Sequence, residues 1–328
     1  MINIEYPSTD PYFNLALEQH VFDRLDRSQD YFMLWQNDNA VIVGKHQNTI
    51  EEINAAFVAE RGIRVARRLS GGGAVYHDLG NLNFTFIRAA GDSSQLDFHL
   101  FCEPVTNALK AVGVKAEING RNDITIDGRK FSGNSQYIKQ GRVMHHGTIM
   151  FDSDLEMVSR ALRVSGDKIE SKGVKSIRSR VTNVAEHLKS PVTIEEFREV
   201  LRKRILGEAR SDYVLTEADI AAVTKLRDEQ YATWDWNYGA SPDYAIRKKR
   251  RIEGCGTVEV CLRVDDGLIT DLRFFGDFFG AEDAGDLAAL FIGQKPRKSS
   301  YETLLADIRV GRYINNLNNS QLIEILLQ

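Results

Sequence analysis

Apolar residues recur every fourth position from Phe13 through Leu17 and Val21 to Leu25. That spacing predicts a helix over residues 8–25 with one face buried. Ser8, Thr9 or Asp10 can cap its start, and Pro11 suits its first turn. Two short apolar runs, 31–35 and 40–44, read as strands, and 50–61 reads as helix. Residues 64–88 read as strand, glycine loop and strand. In the last of these Leu82, Phe84 and Phe86 alternate with Asn83 and Thr85, and the alternation weakens only at Ile87. Residues 94–111 are predicted helical, stopped by Gly113. Asp127-Gly128 separates the run 124–126 from the one opening at Lys130, the dipeptide expected of a two-residue hairpin. Another apolar strand covers 143–151. Residues 155–162, 194–206 and 217–230 read as helices.

Strands mixed with helices, without strict βαβα order, predict an α+β fold with a mixed or antiparallel sheet and flanking helices. The aromatic, glycine- and proline-bearing stretch 231–244 reads as a linker. Beyond it, strands at 256–264 and 268–275 flank a second hairpin signal, Asp265-Asp266-Gly267, and helical patterns follow. The expected division is therefore a large domain, 1–240, and a small α+β domain, 246–328. No internal repeat or low-complexity tract interrupts either.

Composition narrows the function classes. The 328 residues are 43% hydrophobic and 27% charged, as in ordinary globular proteins. A net charge of −4 argues against general nucleic-acid or membrane-surface binding, so any basic site must be local. Cys102, Cys255 and Cys261 form no C-x-x-C pair and cannot close a full disulfide set, which predicts a reducing, cytoplasmic setting. The opening MINIEYPSTD lacks a basic-then-apolar signal, and no apolar run approaches the ~20 residues that span a bilayer.

The richest chemistry lies in Arg67-Arg68-Leu69-Ser70-Gly71-Gly72-Gly73-Ala74-Val75-Tyr76-His77-Asp78. Consecutive glycines permit close backbone approach and convergent amides, and arginines beside them can neutralise phosphate oxygens. The bland alternative is a tight hairpin with solvated arginines. Neither G-x-x-x-x-G-K-[ST] nor a strand-linked G-x-G-x-x-G is present, so kinase-like and dinucleotide readings lose support. Lys130 sits just after the Asp127-Gly128 turn, a fixed point charge for phosphate or else an exposed hairpin lysine. Asp123 is a candidate Mg²⁺ ligand, because that ion takes one or two carboxylates plus substrate phosphates. His145 and His146, adjacent on a strand, must face opposite ways, so a zinc site is not expected and one histidine is left to face a ligand pocket. The run Arg247 to Arg251 reads either as a grip on an acidic partner or as a solvated edge strand guarded by charge.

Taken together these stretches resemble the lipoate–protein ligase family. The resemblance covers 1–240 strongly. It rests on Asn14-Leu15-Ala16-Leu17-Glu18, on Val43-Gly44-Lys45-His46-Gln47-Asn48 and on the 67–81 loop ending in Leu79-Gly80-Asn81. It rests further on Gly120-Arg121-Asn122-Asp123, Lys130-Phe131-Ser132-Gly133, His145-His146-Gly147-Thr148 and the run 172–183 ending in Arg178-Ser179-Arg180-Val181-Thr182-Asn183. The resemblance implies a catalytic domain shared with biotin ligases and class II synthetases. It implies that ATP, with Mg²⁺, activates lipoate to lipoyl-AMP, and that the acyl group passes to a lysine of a lipoyl domain of a 2-oxoacid dehydrogenase complex or of the glycine-cleavage H protein. By that resemblance Lys130 is catalytic. Arg68, Gly73, Ala74, Val75, Tyr76, Asn81 and Lys130 contact ATP or the adenylate, and Ser70, His77, Trp35, Glu18, His146 and Lys130 surround the lipoyl tunnel. Ser135 stands where the family has alanine, adding a hydroxyl to the pocket wall.

Phe84, Phe86, Val75 and Leu17 are candidates for the apolar slot, a mobile adenylate-binding loop is expected within 165–183, and the small domain is expected to swing between half-reactions. A monomer is expected, without nucleic-acid or membrane partners. Two rival functions remain open from the residues: an ATP-independent octanoyl or lipoyl transferase, and a non-catalytic lipoyl-AMP binding module. The first, where it works through a thiol, needs a cysteine beside the pocket, and none adjoins Lys130 or His146.

Overall fold

The computed structural model describes residues 1–90, 97–162, 180–208, 211–238, 246–265 and 267–327. The expected loop within 165–183 falls outside them up to residue 179, as do 239–244 of the expected linker and Asp266 of the second hairpin.

Among the described residues the strands are β1 (Ile2–Ile4), β2 (Tyr31–Trp35), β3 (Ala40–Val43), β4 (Arg64–Arg67), β5 (Val75–His77), β6 (Asn81–Ala89), β7 (Ala116–Asn119), β8 (Asp123–Ile126), β9 (Arg129–Lys139), β10 (Arg142–Met150), β11 (Ser211–Tyr213), β12 (Ile246–Ile252), β13 (Gly256–Asp265) and β14 (Leu268–Gly276). Eight of them form one mixed sheet in the order β11-β1-β2-β6-β10-β9-β8-β7. A second sheet runs β4-β3-β5 and a third β12-β13-β14. The α+β expectation with mixed and antiparallel pairing holds.

The first helix spans Pro11–Arg24. Asp10 caps it through Tyr12 N and Pro11 occupies its first turn. Phe13, Leu17 and Val21 are buried as their spacing predicts, but so are Asn14, Leu15, Glu18, His20 and Phe22. The helix is therefore enclosed on more than one face. Residues 50–61 form two short helices, Thr49–Glu52 and Ala55–Glu60, rather than one, because Asn54 caps the second through Phe57 N. The Asp127-Gly128 turn is present with both residues at positive φ, 49° and 74°.

Both faces of the eight-stranded sheet are covered. Phe32, Leu82, Phe84 and Phe86 pack with Phe101, Val105, Phe151 and Phe197, under helices His99–Ala111 and Ile194–Leu206. Ile87 belongs to the opposite face with Leu17, Val21, Met33 and Trp35. An apolar residue on each side explains why the alternation weakens there. A further core drawn only from residues 252–326 lies between the third sheet and helices Ala284–Ala289, Lys298–Leu304 and Asn319–Leu327.

Residues 231–238 are not a linker. Tyr231 and Asn237 are buried, and Asn237 Oδ1 accepts the Arg67 amide at 2.8 Å. Trp236 Nε1 donates to Arg67 O at 2.9 Å. Trp236 and Asn237, in a stretch of linker-like composition, instead clamp β4.

Candidate active site

A cavity opens where three elements meet: the turn after β4, the β8–β9 hairpin and the face of β2, β6 and β10 opposite the phenylalanine core. Among its walls are Arg68, Gly72, Gly73, Ala74 and Val75 from the turn, Lys130, Gly133, Asn134 and Ser135 from β9, and His146, Gly147 and Thr148 from β10. Leu15, Trp35, Ile42, His77, Asn83 and Asn122 complete it.

The floor has a direction. Trp35 pairs with Asn83, Asn83 pairs with Thr148, and Thr148 Oγ1 accepts from Gly133 N at 3.2 Å. Three strand-to-strand steps separate Trp35 from Gly133, about 14 Å at the usual strand spacing. Lys130 lies at the Gly133 end, with its Nζ 3.0 Å from where a Gly133 Cβ would sit. Nζ contacts Asp123 Oδ1 at 2.7 Å, and each side chain is 38% exposed. The backbone of Lys130 is pinned from outside the hairpin: its N–H donates to Arg180 O at 2.8 Å, and its carbonyl accepts from Thr182 N at 3.0 Å. The end of the 172–183 run thus fixes the lysine. One charged end and one dry, aromatic end about 14 Å away make a channel fitted to a slender acid.

The turn is held by Arg68 rather than held open for it. Its Nε donates to Ser70 Oγ and Gly71 O, its Nη2 to Gly71 O and Gly73 O at 2.6 and 2.8 Å, and its Nη1 to Ile42 O at 3.2 Å. Of five N–H groups, one Nη1 hydrogen is left to point elsewhere. Arg67 does not reach the cavity. Its fork serves Gly44 O, Lys45 O, Gln47 O, Trp236 O, Asn237 O and Thr49 Oγ1. The expectation that both arginines neutralise phosphate is corrected for Arg67: carbonyls of residues 44–47 and 236–237 converge on its side chain, and a planar fork collects them. Burial lowers both guanidinium pKa values to about 10, which leaves them charged.

At the dry end His146 and His145 separate as their strand positions require. His145 stacks on Phe101 in the phenylalanine core, and burial drives its pKa well below the ordinary histidine value. His146 faces the cavity side. Its Nδ1 lies 3.0 Å from Glu18 Oε1, and its Nε2 lies 2.5 Å from Ser70 Oγ. Glu18 also accepts from Thr85 Oγ1 at 2.5 Å, and Thr85 Oγ1 accepts from Trp35 Nε1 at 2.9 Å. Glu18 and Ser70 therefore stand behind His146 and do not line the cavity. Tyr76 turns away, donating from its hydroxyl to Asn39 Oδ1, and Asn81 bonds Asn83 one layer back. Burial and the neighbouring Arg68 and His146 lower the His77 pKa to about 3, so its ring is neutral.

Several expectations for the apolar slot are revised. Val75 lines it, but Phe84 and Phe86 point into the opposite core, and Leu17, on the first helix, is buried in the adjoining core without lining the cavity, while Leu15 and Ile42 take their place. The β6 alternation that buried the phenylalanines is what turns Asn83 inward, a polar residue that sequence reasoning passed over. Ser135 Oγ donates to Gly71 O at 2.8 Å, so its hydroxyl is committed to the turn and not to the cavity. The thiols of Cys102, Cys255 and Cys261 are free and buried, with pKa values raised by burial to about 12, 11 and 12. None of them lines the cavity. Among the described residues no cluster of three or more His, Cys, Asp or Glu could hold a metal ion.

The 252–326 unit rests on this site. Gly72 N donates to Phe278 O at 3.2 Å, Arg121 lies 4.4 Å over the Phe279 ring, and Lys45 pairs with Asp283 at 2.7 Å.

Residues 10–206 match the family model described as the lipoyl protein ligase A/B catalytic domain, and residues 241–326 match the bacterial lipoate protein ligase C-terminus. The chain is 45% identical over 321 residues to the lipoate-protein ligase LplJ of Bacillus subtilis, covering 97% of each. The chain belongs to the lipoate–protein ligase family. This ligase is also 42% identical to lipoate–protein ligase 1 of Staphylococcus aureus, again with 97% of each chain covered. A lipoate-protein ligase A crystal structure bound with ATP is 28% identical with a TM-score of 0.63, over 73% of this ligase and 99% of that chain. P. falciparum LipL1, solved in complex with lipoate, shares the fold over the whole length at a TM-score of 0.83 and 24% identity, covering 100% of this ligase and 99% of that chain. Among the described residues no helix is long and apolar enough to cross a membrane.

Proposed function

We propose that this ligase joins lipoate to a lysine amine of a lipoyl domain in two half-reactions, the first of which consumes ATP. The observation that carries the reading is the convergence of the Lys130 ammonium and the Gly72–Val75 turn on one cavity whose other end is apolar and closed by Trp35 and His77. In the first half-reaction a lipoate carboxylate oxygen attacks the α-phosphorus of ATP. The bond to the β-phosphate oxygen breaks, and pyrophosphate leaves with the electron pair. Lys130 is the catalytic residue: its ammonium meets the carboxylate end of the acid and the α-phosphate, where charge grows in the transition state. Gly73, Ala74 and Val75 supply backbone to the nucleotide, and Arg68 contributes by holding that backbone in shape. Tyr76 and Asn81 support the same wall from behind. In the second half-reaction the acceptor amine attacks the acyl carbon, the bond to AMP breaks, and the nitrogen loses its proton. Enclosure and nearby cations favour the neutral amine.

Asp123 would hold Mg²⁺ as a single carboxylate beside Lys130, together with substrate phosphate oxygens and water. When bound there the ion would screen phosphate charge. Trp35, His77, His146, Glu18 and Ser70 form the tail end of the lipoate site, with the last two acting through His146. Residues 1–240 form the catalytic domain in this reading, and 246–328 the accessory domain. The acceptors are lipoyl domains of 2-oxoacid dehydrogenase complexes or the glycine-cleavage H protein, and the enzyme works as a cytoplasmic monomer. A T. acidophilum bi-partite lipoate protein ligase, 29% identical, was solved in a study with its E2 lipoyl domain, which supports the acceptor class. Buried, protonated thiols and the ATP-bound relative disfavour a cysteine-dependent transferase, and the intact Lys130 disfavours a non-catalytic module. The test is intact-mass analysis of each acceptor after incubation with the ligase, ATP, Mg²⁺ and lipoate. A lipoyl mass increment that requires ATP is expected. No increment on any acceptor, or one formed without ATP, overturns the reading.

A further inference from the structure

His77 borders the cavity beside Trp35, with ring centroids 6.4 Å apart at 74°. It is 3% exposed, and its Nε2 is buried without a hydrogen-bond partner. Its other nitrogen is engaged: Nδ1 lies 3.1 Å from Asn37 Nδ2. The roles in that contact are set from further away. Asn14 Nδ2 has three oxygens in reach of its two hydrogens, the backbone carbonyls of Ser8 and Gln36 at 3.0 and 2.8 Å and Asn37 Oδ1 at 2.9 Å, so one hydrogen is shared, and the two carbonyls fix this atom as the amide nitrogen. Asn37 Oδ1 is thereby the acceptor and Asn37 Nδ2 the donor, so His77 Nδ1 must accept. A neutral imidazole that accepts at Nδ1 carries its hydrogen at Nε2. Asn14 and Asn37, both almost wholly buried, form a relay that leaves one buried N–H donor unsatisfied on a residue that borders the dry end of the channel.

We propose that the Asn14–Asn37 relay fixes His77 as an Nε2–H donor, and that this donor selects acids carrying an acceptor atom at the tail, such as the ring sulfurs of lipoate, over plain fatty acids of the same length. The proposal rests on the reading of the cavity as the lipoate channel and deepens it. A saturated eight-carbon chain fills the same space but seals the N–H under a methyl group, and a buried donor without a partner is costly. A thioether-type sulfur is a weak acceptor, so the selection is moderate. Asn14 and Asn37 do not line the cavity and are positioning residues.

The test uses the full chain labelled with ¹⁵N-histidine, and lipoate and octanoate as probes. The free enzyme should show His77 in the Nε2–H tautomer. Saturating lipoate should shift the Nε2 resonance, and octanoate should leave it near its free position. In acid-dependent ATP–pyrophosphate exchange, the lipoate-to-octanoate ratio of kcat/KM should fall about fivefold to tenfold in His77→Phe, which keeps the ring and removes the donor. His77→Gln, which can present an amide N–H, should hold the ratio within about twofold of wild type. Asn37→Leu should lower the ratio and abolish the single-tautomer signal while Asn14 keeps its two backbone partners. An Nδ1–H tautomer, equal Nε2 shifts with both acids, or an unmoved ratio in a folded His77→Phe overturns this proposal alone. A wild type that exchanges pyrophosphate with neither acid overturns the parent reading with it.

Discussion

The Lys130 ammonium lies 2.7 Å from Asp123 Oδ1, on neighbouring strands of one hairpin, and both side chains remain partly exposed. A carboxylate at that distance aims the lysine without enclosing it. Lys130→Met keeps most of the side-chain length and removes the charge. It should lower kcat/KM for lipoate-dependent pyrophosphate exchange by about 10²–10³-fold, the usual effect of losing one preorganised donor. Melting temperature should stay close to wild type, since the pair is half-exposed and such pairs contribute little to stability.

Asp123→Asn tests the other partner. It should raise the Mg²⁺ concentration needed for half-maximal exchange, whereas removal of Mg²⁺ with a chelator should stop exchange in both proteins. An unchanged Mg²⁺ requirement in the variant would confine Asp123 to aiming Lys130.

Arg67 and Arg68 show where sequence reading reached its limit. Both precede the glycines, both were legible as cations beside a phosphate-like turn, and nothing local separates them. The difference is tertiary. Arg67 meets carbonyls of residues 44–47 and of 236–237, and the latter pair is distant in sequence and lies in a stretch of linker-like composition. By contrast, the opposed orientation of His145 and His146 follows from strand geometry alone and needed no such information. Phe84 and Phe86 were assigned to the slot because a one-sided alternation does not say which face the ligand takes. Only the burial of Phe101 and Phe197 on their side settles it.

Arg67→Ala should therefore behave as a folding variant. It leaves buried carbonyls without donors at a site that a lysine cannot replicate with a single ammonium. A loss of about 3 kcal/mol in urea unfolding is expected, with Arg67→Lys recovering less than half.

Glu52 supplies a pH dependence. Its pKa is raised to about 7, first by burial and then by Asp277, with Lys249 opposing. The folded state therefore holds this proton more tightly than the unfolded chain does. Between the unfolded value of ~4.3 and about 7, rising pH removes stability, and above 7 the full penalty is present. Glu52→Gln should match wild type at pH 4 and exceed it by about 1–3 kcal/mol at pH 8 in urea unfolding. An equal difference at both pH values would assign the gain to something other than this carboxyl.

Gly44 separates the shape of the turn from its chemistry. A Cβ at that position would lie 2.0 Å from Gly72 O and 3.2 Å from the Arg68 guanidinium, so Gly44→Ala must push the turn toward the cavity. Gly72 sits at φ +89°, a conformation with little freedom to absorb the shift. The expected cost is about 1–3 kcal/mol of stability, as for other overpacked sites. The KM for ATP should rise about tenfold or more, because a misplaced phosphate wall lowers positioning steeply. Gly73→Ala is the matched control for packing: nothing lies within 4 Å of its added Cβ, so stability should stay within about 0.5 kcal/mol of wild type. If both variants lose stability equally, the close approach of Gly44 to Gly72 is not what shapes the turn.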